Sequence, residues 1–268
     1  MQFAKHYQVM RLPLFIATML TLATSIAFLI TGQSEKTEAV AKPSETGTKR
    51  PVLVELFTSE GCSSCPPADR LLTEMSKGKF ADADTITLAY HVDYWDRLGW
   101  KDRFSSAEYS QRQETYASKF GLRSIYTPQM VVNGTAEFVG NNRSKGIEVI
   151  GEAGNDVGGG VDLSSNGGKL TANIRDLPGH GGATIYLAVA ESGLFTKVGR
   201  GENAGSTLEH TSVVRHLSVV GKIKGSEKQA RFEIELPSNS EWKQHNLRYV
   251  VFAQEDSTLR ILAVNALP

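Results

Sequence analysis

Two cysteines occur in the chain, Cys62 and Cys65, standing three positions apart where a short apolar run gives way to a helical pattern. Residues 52–57 read as a strand and residues 68–75 as a helix, so the pair lies in the turn between them. That placement constrains the local fold: the strand must end, the chain must turn, and a helix must begin at the two sulfurs. Unpaired backbone N–H groups and the helix dipole favour an anion there, so the first sulfur can persist as a thiolate. The spacing of three sets Cys65 one turn further in, where it can attack a mixed disulfide formed on Cys62. Pro66 and Pro67 suit the first helical turn, because their missing N–H groups would lack partners there anyway. No third thiol is available to form a wrong bridge, which suits an oxidising compartment.

The N-terminus has the pattern of an export signal: Lys5 and Arg11 precede an uncharged run at 12–30, and polar residues follow from Gln33. The run just reaches the roughly 20 residues that cross a bilayer as a helix, with its basic residues on the cytoplasmic side, as in an uncleaved anchor. Ala39-Val40-Ala41 has the small-x-small form of a cleavage site, as in a removed signal. Residues 1–31 are therefore assigned to a signal peptide or a membrane anchor. Residues 32–50, polar and without apolar periodicity, are assigned to a flexible linker. Either form places the chain in the periplasm or another extracytoplasmic space, secreted or anchored. With 29 basic and 29 acidic side chains the formal net charge is zero, which leaves no electrostatic footprint for nucleic acid.

From 51 to 157 strand and helix signals alternate. Strands are expected at 52–57, 85–92 and 130–132, the last ending in the Asn133-Gly134 turn before Phe138 and Val139 return. Ser105 or Ser106 caps a helix that runs to Phe120 and stops at Gly121, with Arg112 and Gln113 on its solvated face; another helix covers 144–153. Past the glycines at 158–160, runs at 161–174, 184–190, 213–220, 231–236, 248–254 and 259–264 read as strands, many alternating. The expectation is an α/β domain over 51–157, then a separate all-β domain over 158–268, antiparallel and sandwich-like.

Between the second strand and the capped helix lies an insertion with Tyr94, Trp95, Trp100 and Phe104 among Asp93, Asp96, Asp102 and Arg103. It either packs onto the domain or walls a groove beside Cys62. His91 reads as a packed strand residue, or as an aid to two thiolates in holding a soft metal such as Cu(I). Zinc is disfavoured, since a closed site needs four ligands. The segment 199–205 is glycine-rich but lacks the Lys-Ser/Thr ending of a phosphate loop and reads as a plain loop; His210 and His216 are too sparse for a metal site.

The strand, turn, Cys-x-x-Cys and helix resemble the active site of the thioredoxin superfamily. Residues 119–134, with Tyr126-Thr127-Pro128-Gln129 at their centre, are similar to the segment that leads into that family's cis-proline. The resemblance implies that Pro128 is a cis-proline facing the dithiol, with Thr127 offering backbone groups to an extended substrate. Glu55 would take the place of the buried acid that shuttles protons to the second thiol, one residue out of register. Ser63-Ser64 departs from the usual Gly-Pro pair; both hydroxyls can donate to a thiolate, and Glu60 opposes one. Residues 55–69, together with 91–96 and 126–129, resemble more narrowly a family of exported bacterial thioredoxin-like proteins classed as a domain of unknown function, with the likeness running from Pro51 to the C-terminus. The expected fold class is thus a thioredoxin-like α/β domain followed by the β domain. The expected function is an exported thiol-disulfide oxidoreductase acting on proteins that bear thiols or disulfides. Cys62 is its nucleophile and Cys65 its resolving thiol, Thr127 and Pro128 bind substrate, and neither an organic cofactor nor a metal is required. The alternatives are a thiol-based Cu(I) carrier and a non-enzymatic adaptor.

Overall fold

The computed structural model describes residues 39–40, 51–156 and 158–268. In chain order its elements are β1 (Ala39–Val40), β2 (Val52–Thr58), α1 (Pro66–Met75), β3 (Lys79–Phe80), β4 (Ala83–His91), α2 (Ala107–Phe120), β5 (Gln129–Val132), β6 (Ala136–Val139) and α3 (Arg143–Ala153). There follow β7 (Gly160–Asn166), β8 (Lys169–Arg175), β9 (Gly182–Glu191), β10 (Leu194–Lys197), β11 (Thr207–His210), β12 (Val213–Lys224), β13 (Ala230–Glu235), β14 (Leu247–Glu255) and β15 (Ile261–Leu267). The segment 1–31 lies outside the described residues, as does the linker apart from β1, whose backbone pairs with β7. No helix among the described residues is long and apolar enough to cross a membrane.

Every residue of β2 is buried, the mark of a strand covered on both faces. It lies between β4, to which it is parallel, and β5, to which it is antiparallel. The sheet does not stop at β4. It continues through β12, β9, β14 and β15, so that the order β15-β14-β9-β12-β4-β2-β5-β6, with β3 beside β4, makes one mixed nine-stranded sheet. This overturns the expected α/β domain followed by a separate all-β domain: strands from both segments share one hydrogen-bonded sheet, and the described residues are mostly strand with three short α-helices. They also share a core, in which Leu53, Phe57, Tyr90 and Val131 pack with Val214, Val250, Phe252 and Ile261. A second cluster, with Leu56, Leu72, Met75, Phe138 and Ile150, fills the space under α1 and α3. The third lies where the four-stranded sheet β1-β7-β8-β13 covers β9, β14 and β15. In β7 and β8 buried and partly exposed residues alternate, as expected for strands with one covered face.

Local signals act where the sequence places them. Pro66 opens α1; the Ser106 side chain caps α2 and Gly121, at φ 67°, ends it. Asn133 and Gly134 both take positive φ at the centre of the β5–β6 turn, which the Thr135 N–H closes on the Val132 carbonyl. One assignment reverses. Arg112 and Gln113 are not on a solvated face: α2 turns them toward the sheet, where Arg112 Nε donates to Glu55 Oε1 at 2.7 Å and Gln113 is fully buried. The Tyr116 hydroxyl donates to the other Glu55 oxygen, and the Arg112 guanidinium lies over the rings of Tyr90, Tyr116, Tyr186 and Phe252. Burial by itself lowers the Arg112 pKa, but Glu55 and the tyrosines more than reverse this and hold it well above the ordinary value.

Removing one partner of such a pair leaves the other charge buried alone. Arg112→Ala is therefore expected to cost roughly 3–5 kcal/mol in urea unfolding, whereas Glu55→Gln combined with Arg112→Met recovers much of that loss. Equal destabilisation by both would mean that the aromatic packing, not the charge, is what the site requires.

Candidate functional site

Cys65 is the N-cap of α1, and a disulfide joins it to Cys62. Chain turns set the geometry: Cys62 N–H donates to the Ser59 carbonyl and Cys65 N–H to the Cys62 carbonyl, each at 3.2 Å. Ser63 and Ser64 are exposed, yet both cysteines are 0% accessible. The Ser64 hydroxyl lies 3.4 Å from Cys62 Sγ.

The Thr127–Pro128 peptide bond is cis. Pro128 is buried beside the start of α1: a Cβ placed on Gly140 would lie 3.1 Å from Pro128 Cβ and 3.3 Å from Ala68 Cβ, so the glycine lets these elements converge. Thr127 is partly exposed, and its hydroxyl accepts from Trp95 Nε1 at 2.8 Å. Trp95 also packs on Gly61, where an added Cβ would meet Trp95 Cβ at 3.4 Å. One indole therefore ties the proline loop to the cysteine loop, and the insertion does form a wall of the site. Glu55 is elsewhere. Both its oxygens are engaged by Arg112 and Tyr116 on the α2 side of the sheet, so it is not set to serve the dithiol as its position in the sequence suggested.

A different set of ionisable groups underlies the cysteine loop. Asp102 Oδ2 accepts from the Glu60 N–H at 2.8 Å and lies 2.6 Å from His91 Nδ1, while its other oxygen accepts from the Phe104 N–H at 2.9 Å. Glu60 Oε2 accepts from Trp100 Nε1 at 2.7 Å. Its Oε1 lies 3.2 Å from His210 Nε2, within ion-pair distance but without hydrogen-bond alignment. The His91 and His210 rings meet edge to face with centroids 5.1 Å apart, and Phe104 closes on both. Asp69, one turn after Cys65, is only partly buried as a residue, but its carboxyl end turns inward to accept from Thr58 Oγ1 and to face both histidines.

Burial sets the balance of charge here. It raises the Asp69 pKa above 3.8 despite the opposing pull of His91 and His210. Burial also acts to depress His91 and to raise Asp102, but their mutual attraction wins: His91 is held above 6.5 and Asp102 below 3.8. Among the described residues no group of three or more His, Cys, Asp or Glu residues is arranged to hold a metal ion.

The segment that covers the cysteines is the glycine-rich stretch that reads as a plain loop. Residues 198–206, the loop between β10 and β11, fold onto the dithiol: Asn203 Nδ2 donates to the carbonyls of Glu60 and Cys62 at 2.9 and 3.0 Å, and Glu202 Oε2 accepts from the Ser63 N–H at 3.0 Å. Those hydrogen bonds from Ser63 lower the Glu202 pKa. A Cβ added at Gly199 or Gly201 would lie 3.3 or 3.2 Å from the Trp100 side chain. The segment is the loop that the sequence indicated; its glycines admit the indole, and its Glu-Asn pair carries the contacts.

The His91–Asp102 pair makes stability depend on pH in a defined direction. A histidine held above its free value stabilises the fold fully below pH 6.5, and this contribution is lost as the pH rises through the elevated value. Asp102, held low, contributes above pH 3.8 and loses its share as the pH falls. Urea unfolding across this range is expected to show a decline on the alkaline side that His91→Gln flattens; an unchanged alkaline limb would exclude the pair as its source.

A solved structure of the protein AGR_C_4864 from Agrobacterium tumefaciens is similar to this chain at 28% identity and a TM-score of 0.66, covering 84% of this chain and 96% of that one. HBP35 of Porphyromonas gingivalis is similar in fold alone, at 13% identity and a TM-score of 0.52 over 83% of this chain and 76% of that one. No curated protein matches the chain. The family model described as "Protein of unknown function (DUF1223)" matches residues 53–254, most of the sequence and all of the site, and the chain belongs to that family.

Proposed function

We propose that the chain is an exported thiol-disulfide oxidoreductase that exchanges its Cys62–Cys65 disulfide with cysteines of other exported proteins, in the periplasm or on the outer face of the membrane. The observation that carries the reading is the juxtaposition of a dithiol at a helix start with the cis Thr127–Pro128 bond, held together through Trp95. This local arrangement is similar to the active site of the thioredoxin superfamily. In the reduced form Cys62 thiolate attacks a substrate disulfide, forming a mixed disulfide and releasing one substrate thiolate. Cys65 thiolate then attacks Cys62 Sγ, restores the internal disulfide and expels the second substrate thiolate. The reverse sequence reduces the internal disulfide at the expense of a substrate dithiol. Thr127, partly exposed beside the loop, offers backbone groups to an extended substrate.

Two features shape this chemistry. The buried carboxyl and imidazole groups under the loop supply nearby sites for the protons that thiols gain and lose, a role given to Asp69, His91 and His210 rather than Glu55. The 198–206 loop makes exchange conditional on opening, because a sulfur with no accessible surface cannot be attacked in line.

Cys62→Ser is expected to abolish exchange with a model protein disulfide, while Cys65→Ser accumulates mixed disulfides visible on non-reducing gels. Full exchange by the Cys62→Ser protein would rule the reading out. The cover makes a second, independent prediction. Replacing Glu202 by Gln and Asn203 by Ala removes a charged and a neutral hydrogen-bonding group, and should speed reduction of the disulfide by dithiothreitol by about tenfold. An unchanged rate would show that the loop does not limit access.

A further inference from the structure

Beside the covered dithiol lies an open cleft of about 580 Å³ whose lining no step of the exchange uses. Its floor is Phe104, the ring that closes on His91 and His210 from the other side. Two guanidiniums lie over that ring, Arg103 at 4.5 Å and Arg215 at 5.1 Å. Arg215 is bound at 2.8 Å to Glu191, which is fully buried and also accepts from the Lys243 N–H, so this carboxylate is neutralised within the wall. Arg103 donates to the Phe195 carbonyl and, like the Lys243 ammonium, has no ion pair among the described residues. Glu241 is the remaining acid of the lining. With Glu191 matched to Arg215, two cations face one exposed carboxylate. Phe195 lies alongside with 58% of its surface exposed.

We infer that this cleft binds an acidic peptide segment of the protein whose cysteines are exchanged, carboxylates on Arg103 and Lys243 and a neighbouring apolar side chain on Phe195. Two cations unpaired among the described residues suit one or two peptide carboxylates and are too few for a polyphosphate or nucleic acid backbone, which needs many neutralising contacts. The exposed ring supplies the apolar surface that a peptide side chain covers and a free inorganic anion does not. The volume falls in the range of ordinary ligand clefts, enough for a few residues. Phe195 belongs to β10, the first strand of the hairpin whose loop covers Cys62, so a peptide seated here grips the cover at its base. Binding is independent of the redox chemistry; its use in bringing substrate to the cysteines rests on the proposed oxidoreductase reading.

The test is calorimetric titration of the full chain with an acetylated, amidated peptide of sequence Leu-Glu-Leu-Glu. Saturable binding is expected that weakens with added salt, persists in Cys62→Ser, and is lost for the Leu-Gln-Leu-Gln control. In the double variant Arg103→Gln, Lys243→Gln the affinity should fall by about tenfold or more. Both positions are exposed, so circular dichroism should report an unaltered fold; Arg215 is left intact because its removal would strand Glu191. No binding by the wild type at millimolar peptide, equal affinity in the double variant, or equal binding of the neutral control would overturn the inference. Isocaproate binding as tightly as the peptide would overturn the peptide assignment in favour of a small-carboxylate site. None of these outcomes depends on whether Cys62 exchanges disulfides.

Discussion

Where β12 meets β4, Ala89 N–H donates to the Ser212 carbonyl at 2.8 Å, the Thr87 and Ser212 hydroxyls meet at 2.8 Å, and Val213 takes its place opposite Ala89. The parallel pairing is short, but it joins two halves of a sheet that otherwise have no shared strand, and it fixes the residues immediately before β12. His210 and Thr211 stand there. His210 reaches Glu60, and Thr73 of α1 donates to Thr211 at 3.0 Å. This join and the bonds from Glu202 and Asn203 together fix the β10–β11 hairpin against the cysteine loop. The β10–β11 hairpin and His210, one member of the buried ionisable cluster, are therefore placed in part by one strand contact.

The cluster is costly to build, since each charge taken from water must find compensation in a partner or lose its charge. The structure uses both solutions. His91 and Asp102 compensate each other, and Asp102 takes two backbone N–H groups besides, so one carboxylate orders the loop before Cys62 and the insertion at Phe104 together. Asp69, poorly matched, is pushed toward its neutral form. Glu55 and Arg112 follow the first solution on the far side of β2, fully occupied with each other and with Tyr116. Because side chains alternate along a strand, an acid at position 55 faces α2, whereas Thr58 faces α1 and meets Asp69. A single residue of register thus decides which acid serves the helix that carries the cysteines.

That alternation also explains what could be read from the sequence. The strand-turn-helix around Cys62, the prolines opening α1, the Ser106 cap, the Gly121 stop and the Asn133-Gly134 turn are local effects of a few residues, and local chemistry determines them. The cis bond before Pro128 was implied by a segment-level resemblance and is present. Sheet order is different in kind. The runs after residue 160 alternate as antiparallel strands do, and most are antiparallel, but nothing in their periodicity reveals that β12 also lies parallel to β4. Reading them as a separate domain left no place for a pairing between β12 and β4. Arg112 shows the same limit: a charged residue on a helix is ordinarily solvated, and its burial depends on Glu55, 57 positions earlier. His210 looked isolated for the same reason.

The cover meets the cysteine turn through its backbone polar groups. A dithiol at a helix start gains its reactivity from backbone N–H groups that stabilise negative charge, and in the closed form Glu202 accepts one of them, from Ser63. Asn203 meanwhile donates to the Glu60 and Cys62 carbonyls. The closed loop therefore satisfies the polar groups of the cysteine turn from outside while excluding solvent from the sulfurs. In the proposed exchange, a thiol reaches Cys62 only once the loop surrenders those bonds, which frees the Ser63 N–H beside the cysteine turn. On the proposed reading, opening would uncover the disulfide and free the Ser63 N–H in one movement, because Glu202 belongs to the same loop as Asn203.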